Sequence, residues 1–107
     1  MVHDLTKKNV ADLVENQSKP VIIDVFASWC GPCMQMKPIF KQLAAESADA
    51  YIFAQLNVDE ERDLAIQYSV TSIPTFIFIQ NNNIVGREVG YMSKEDLKKK
   101  ITEHLES

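Results

Sequence analysis

Apolar residues along this chain fall into two alternating spacings. Val21-Ile22-Ile23-Asp24-Val25-Phe26-Ala27 is a nearly continuous apolar run rich in β-branched residues, the pattern of a strand covered on both faces. Tyr51 to Val58 and Thr75 to Gln80 read as further strands, and Met1 to Leu5 as a short edge strand. Between these runs the spacing turns helical. Thr6 caps a helix whose apolar positions are Val10, Leu13 and Val14, and Ser18-Lys19-Pro20 ends it. Met36, Ile39, Phe40, Leu43 and Ala44 predict a long amphipathic helix running to Ser47, with a kink at Pro38. Asp59 reads as the cap of a third helix, with Glu60 and Glu61 in its first turn and Leu64, Ala65 and Tyr68 facing inward. Asn81-Asn82-Asn83 supplies turn chemistry tolerant of positive φ, so Ile84 to Val89 returns as a hairpin partner. Ser93 through Asp96 forms a capping box for a last helix carrying Leu97, Ile101 and Leu105 on one side. The order βαβαβαββα predicts an α/β fold, a central mixed sheet of about five strands flanked by four helices.

Composition narrows the function. A chain of 107 residues with 46% hydrophobic content suits one compact domain, residues 1–107. A net charge of -4 leaves no electrostatic footprint for nucleic acid, and Lys98-Lys99-Lys100 reads as a solvated helix face. No stretch has the length and apolarity of a membrane span, and Met1 to Asn9 lacks a signal-peptide core. The expectation is a cytoplasmic protein with no membrane contact. A leader removed ahead of Met1 would not show, which leaves an organelle lumen as the alternative.

Trp29-Cys30-Gly31-Pro32-Cys33 holds both cysteines of the chain. Cα atoms three residues apart in a helical turn lie about 5 to 6 Å apart, a separation a disulfide tolerates. The pair therefore reads as a reversible redox couple. A zinc site would need two further ligands, yet His3 and His104 lie near opposite ends of the chain. Haem attachment wants histidine directly after the second cysteine, where Met34 stands. No metal and no bound cofactor is expected. Asp24 is the one residue misplaced by a hydrophobic rule. Burial would push its pKa up, and six positions before Cys30 it could exchange a proton with a thiol. The alternative is an edge strand with Asp24 facing water.

Together these residues resemble the thioredoxin family over essentially the whole chain. Trp29-Cys30-Gly31-Pro32-Cys33 is similar to the family's active-site motif, Asp24 to its buried acid, and Ile73-Pro74-Thr75 to its cis-proline loop. Pro38 matches the proline of the long active-site helix, and Val89-Gly90 the glycine loop beside the thiols. The resemblance implies the thioredoxin fold and a general protein disulfide reductant. Cys30, at the start of the helix, would attack a client disulfide, and Cys33 would resolve the mixed disulfide with help from Asp24. Trp29, Gly31, Pro32, Ile73, Pro74 and Gly90 would form the substrate-docking surface. The Gly31-Pro32 spacer resembles that of reducing members. Thioredoxin reductase drawing on NADPH would be the electron donor, and clients would include reductases and peroxidases. The protein is expected to act as a monomer. From another class, a redox-dispensable binding subunit of a larger assembly could use the same fold.

Departures from the family pattern carry their own expectations. Gln55 stands where many bacterial members place a lysine that pairs with the buried acid. Without that cation Asp24 should ionise less readily, with a raised pKa. Met34 removes a frequent positive charge near the thiols, and Phe26 replaces a common tryptophan, leaving Trp29 as the fluorescent reporter. Asn82 replaces a turn glycine, a mild change given its tolerance of the left-handed region. Tyr91, bulkier than usual beside the glycine loop, would narrow substrate choice.

Overall fold

The computed structural model describes residues 1–106; Ser107, which the single-domain expectation includes, lies outside the described residues. Strands β1 (Val2–Asp4), β2 (Val21–Phe26), β3 (Ile52–Asn57), β4 (Thr75–Gln80) and β5 (Asn83–Val89) form one sheet in the order β1-β3-β2-β4-β5. β3 pairs in parallel with β1 and β2, whereas β4 runs antiparallel to both β2 and β5. The apolar run of β2 thus occupies the centre, and all six of its residues are buried. A sheet covered on both faces is the reason no polar alternation shows in its sequence.

Period-two alternation still sorts the strands into two chemically distinct faces. Ile22, Phe53, Phe76 and Phe78 pack with Met36, Phe40 and Leu43 of α1 (Gly31–Glu46) and with Leu97 and Ile101 of α3 (Lys94–Leu105). Val21, Ile23, Val25, Ala54 and Ile77 face the opposite way, onto Val14 and onto Leu64 of α2 (Arg62–Gln67). By strand parity Asp24 belongs to the aromatic face, with Gln55 and Phe76 as its register partners on β3 and β4. That places a carboxylate beneath α1, the helix that starts at the cysteines.

The turns follow their residue chemistry. Asn81 and Asn82 take φ of 53° and 63°, the left-handed pair of a tight hairpin. β5 is an edge strand, and a register shift opposite Phe78 and Ile79 leaves Val85 without a partner. At Gly86 a Cβ atom would collide with the His104 ring, which stacks on Phe78. Ser93 Oγ accepts the Asp96 N–H at 3.1 Å and caps α3.

Two helices differ from expectation. Thr6 Oγ1 accepts the N–H groups of Lys8 and Asn9, as a cap would, yet the helix that follows is a wide π-type turn, Ala11–Glu15. There the Asn16 N–H reaches the Ala11 carbonyl. Asp59 does not cap the next helix. The Asn57 side chain takes the Asp59 N–H at 2.9 Å and the Asn57 carbonyl takes those of Glu60 and Glu61, so a turn intervenes and α2 starts only at Arg62. At its far end Ser69 is left-handed, with φ of 57°. Glycine meets no Cβ penalty in that region. Ser69→Gly is therefore expected to stabilise the fold by about 0.5 to 1 kcal/mol in urea denaturation, and a lower midpoint would count against strain at this position.

Candidate active site

Every element of the site hangs on the end of β2. The chain leaves the sheet at Phe26, and the next helix begins at Gly31, with Cys30 as its N-cap and Pro32 in the first turn, where a missing N–H leaves no bond unmade. Cys30 and Cys33 form a disulfide with Cα atoms 5.2 Å apart, inside the separation anticipated from spacing. Cys30 Sγ also accepts the Cys33 N–H at 3.2 Å. That donor is one of the helix's unpaired N–H groups, and the dipole behind it favours negative charge on the same sulfur. Cys33 is fully buried, whereas Cys30 keeps 7% exposure. Of the two residues, only Cys30 keeps any contact with solution.

Around the thiols the structure gathers Phe26, Ala27, Val58 and Ile73 into one apolar cluster. The Ile73–Pro74 bond is cis, and the Pro74 carbonyl accepts the Gly90 N–H at 2.9 Å, tying the two loops together. Gly90 has φ of 100°, a conformation that needs glycine. Gly31 and Pro32 are exposed and Ile73 is half-buried, while Pro74 lies buried beneath them. Trp29 is 72% exposed, so it is no core aromatic. Its indole N–H donates to Asp59 Oδ2 at 2.9 Å. Reading Asp59 as a helix cap missed that contact, which spans thirty residues of sequence. A groove of about 370 Å³ opens beside Trp29, floored by Val58, Ala65 and Ile73.

Asp24 has no solvent exposure and, among the described residues, neither of its oxygens has a hydrogen-bond partner. The water-facing alternative is excluded. Its pKa is raised to about 6, chiefly because burial penalises the charged form. The expectation of a raised value stands, but the reasoning behind it needs correction, because a cation is present. Lys37 Nζ lies 3.9 Å from Asp24 Oδ2 and pulls the pKa back down. Lys37 comes from α1, one turn beyond Cys33, where an i, i+4 relation puts both on one helix face. Gln55 holds it there. The Lys37 ammonium donates to Gln55 Oε1 at 2.7 Å, Gln55 donates in turn to Asp4 Oδ1 at 2.7 Å, and the Phe26 ring lies under the ammonium at 3.0 Å. Gln55 and Phe26, two of the departures from the common pattern, together cradle a lysine supplied by a different element. Burial also pushes the Lys37 pKa down, against the pull of Asp24 and Asp4. Desolvation therefore dominates at both ends of the pair. Lys37→Met is expected to raise the Asp24 pKa by a further one unit or so above its present value, read from carboxyl carbon chemical shifts. A fall towards the ordinary carboxyl range would contradict this electrostatic account.

The sequence profile of the Thioredoxin family matches residues 1–103. A thioredoxin of Chlorobaculum thiosulfatiphilum is 41% identical over 102 residues, covering 95% of this chain and 94% of that protein. The chain belongs to the thioredoxin family. Thioredoxin 2 of Chlorobaculum tepidum is 37% identical over 102 residues, with 95% and 94% covered. Thioredoxin H4 of Arabidopsis thaliana is 40% identical over 93 residues, covering 87% of this chain and 77% of that protein. The mixed five-stranded sheet with its flanking helices is the thioredoxin fold. Membership and the disulfide-forming pair together make this thioredoxin-family chain a thiol-disulfide oxidoreductase acting as a protein disulfide reductase. No helix among the described residues is long and apolar enough to cross a membrane, and no group of three or more His, Cys, Asp or Glu there could hold a metal ion.

Proposed function

We propose that the chain is a single-domain, general reductant of client disulfides, with Cys30 as nucleophile and Cys33 as resolving thiol. The asymmetry of exposure between the two cysteines, together with the Cys33 N–H donated to Cys30 Sγ, carries this reading. In the reduced protein the Cys30 thiolate, favoured by the helix N-terminus, attacks one sulfur of the client disulfide. A Cys30–client disulfide forms, and the first client thiolate leaves and takes a proton. Cys33 gives its proton to the Asp24 carboxylate, directly or through a water, and attacks Cys30 Sγ. The Cys30–Cys33 disulfide forms and the second client thiolate departs. Two electrons have passed from the dithiol to the client.

Asp24 suits this task because a carboxyl with a pKa of about 6 is mostly ionised at neutral pH yet readily protonated. An extended client segment would lie across Trp29, Gly31, Pro32 and Gly90 and pair in β fashion with the backbone of Ile73, with Pro74 shaping the loop. Restoring the dithiol calls for an external two-electron donor. Family resemblance supports a thioredoxin reductase drawing on NADPH, disulfide-cycling clients such as reductases and peroxidases, a monomer, and a cytoplasmic setting. The test is insulin disulfide reduction driven by dithiothreitol, paired with the redox equilibrium of the Cys30–Cys33 couple against glutathione. The expected result is rapid precipitation of the insulin B chain and a couple more reducing than glutathione. A strongly oxidising couple would overturn the reductant assignment.

A further inference from the structure

The groove beside Trp29 has two charged side chains in its wall, Asp59 and Arg62. Asp59 is already engaged by the Trp29 indole. Arg62 is not. Among the described residues its guanidinium makes no hydrogen bond and no salt bridge, although Asp59, Glu60, Glu61 and Asp63 flank it in sequence. Lys7 accounts for much of this. Its ammonium pairs with Asp63 at 2.8 Å and its backbone N–H donates to Glu61 Oε1 at 3.0 Å, so two of the neighbouring carboxylates are held by the N-terminal segment. An exposed guanidinium with no hydrogen bond or ion pair, felt by Asp63 only as a charge at longer range and set beside an apolar groove, is a receptor for a carboxylate, because its planar fork matches the two carboxylate oxygens.

We propose that Arg62 is a specificity-determining residue, selecting extended client segments that carry Asp or Glu close to the cysteine under attack. The proposal rests on the disulfide-reductase reading above and adds client chemistry to it. Trp29, Ile66 and Ile73 offer contact to any apolar segment and discriminate little; the directed polar contact is what separates one client from another. The acidic neighbours oppose an acidic client at long range. That repulsion is screened over about 8 Å at physiological salt, whereas a bidentate pair at contact is screened far less.

The test uses the reduced wild-type chain in single turnover at physiological salt, with matched disulfide peptides. They are identical except for Glu, Gln or Lys placed in turn at each of several positions flanking the cysteine, and release of peptide thiol is followed. At one or more positions Glu should outpace Lys by about threefold to tenfold. Each variant serves as its own reference through the Glu-to-Lys ratio, which should approach one in Arg62→Gln and invert in Arg62→Glu. Equal ratios in the wild type and both variants, with the peptides reduced, would overturn this proposal alone. Failure of the wild type to reduce any of the peptides would bring down the reductase reading, and this proposal with it.

Discussion

Cys33→Ser is expected to stop the reaction half-way. Cys30 remains at the head of α1, the less buried of the two cysteines and favoured as a thiolate, so the first attack proceeds and one client thiolate leaves. The resolving sulfur is then missing, and a serine hydroxyl cannot displace a thiolate from a disulfide. A stable Cys30–client adduct should accumulate, visible as a mass increase equal to the client fragment less two hydrogens. Cys30→Ser should give no adduct, because the buried Cys33 sulfur is out of the client's reach. Insulin turnover should fall by at least about a thousandfold in both variants, since the two thiols act as one unit. The discriminating measurement is the adduct. Its appearance in Cys30→Ser and absence in Cys33→Ser would exchange the two roles.

Asp24→Asn should make the protein more stable at neutral pH and less competent. A carboxyl raised from 3.8 to about 6 binds its proton more tightly in the native state than in the unfolded chain. The native state is therefore favoured below the unfolded value, loses that advantage as pH rises through about 6, and is penalised by roughly 3 kcal/mol once the group is ionised. Asparagine resembles the protonated form and never ionises. The variant should gain about 2 to 3 kcal/mol at pH 7.5, and the gain should fade to near zero by pH 4. Urea midpoints at the two pH values check both the size and the sign. A loss of stability at pH 7.5 would mean that the attraction of Lys37 outweighs burial. Function should move the other way, because the amide cannot accept the Cys33 proton, and release of the second client thiol should slow. On the proposed mechanism, stability is given up here to hold a proton acceptor in a dry place.

The contrast between legible and illegible features follows the range of the interactions. β2, α1 and the Asn81-Asn82 turn were readable because each is written in consecutive residues: an apolar run, a 3.6-residue stripe, a pair tolerant of positive φ. The cysteine pair was readable for the same reason. Lys37 was not, although its place four residues after Cys33 was a usable signal. What defines it is the register of β2 against β3, which sets Gln55 beside Asp24, together with the packing of α1 over both strands. A substitution at position 55 looks like the loss of a charge until the helix above is known to supply another. Asp59 misled in the opposite way. Its type and position are those of a helix cap, but Asn57 occupies the local donors and frees it for Trp29. Arg62 gave no signal in sequence at all, since four acidic neighbours suggest partners, of which Lys7 in fact holds Glu61 and Asp63 and Trp29 holds Asp59.

The two rims of the sheet bear on how clients find the site. One rim is β1, three residues long; the other is β5, where Val85, without a partner in the register, interrupts the ladder. Neither offers the long, flat row of free backbone groups that an incoming extended chain needs to attach as a further strand. A reductant of protein disulfides would otherwise risk collecting extended segments of other proteins along its borders. With both borders blunted, the proposed docking segment before Pro74 would be the place left for a client to add its backbone, which would direct productive encounters to the sulfur of Cys30.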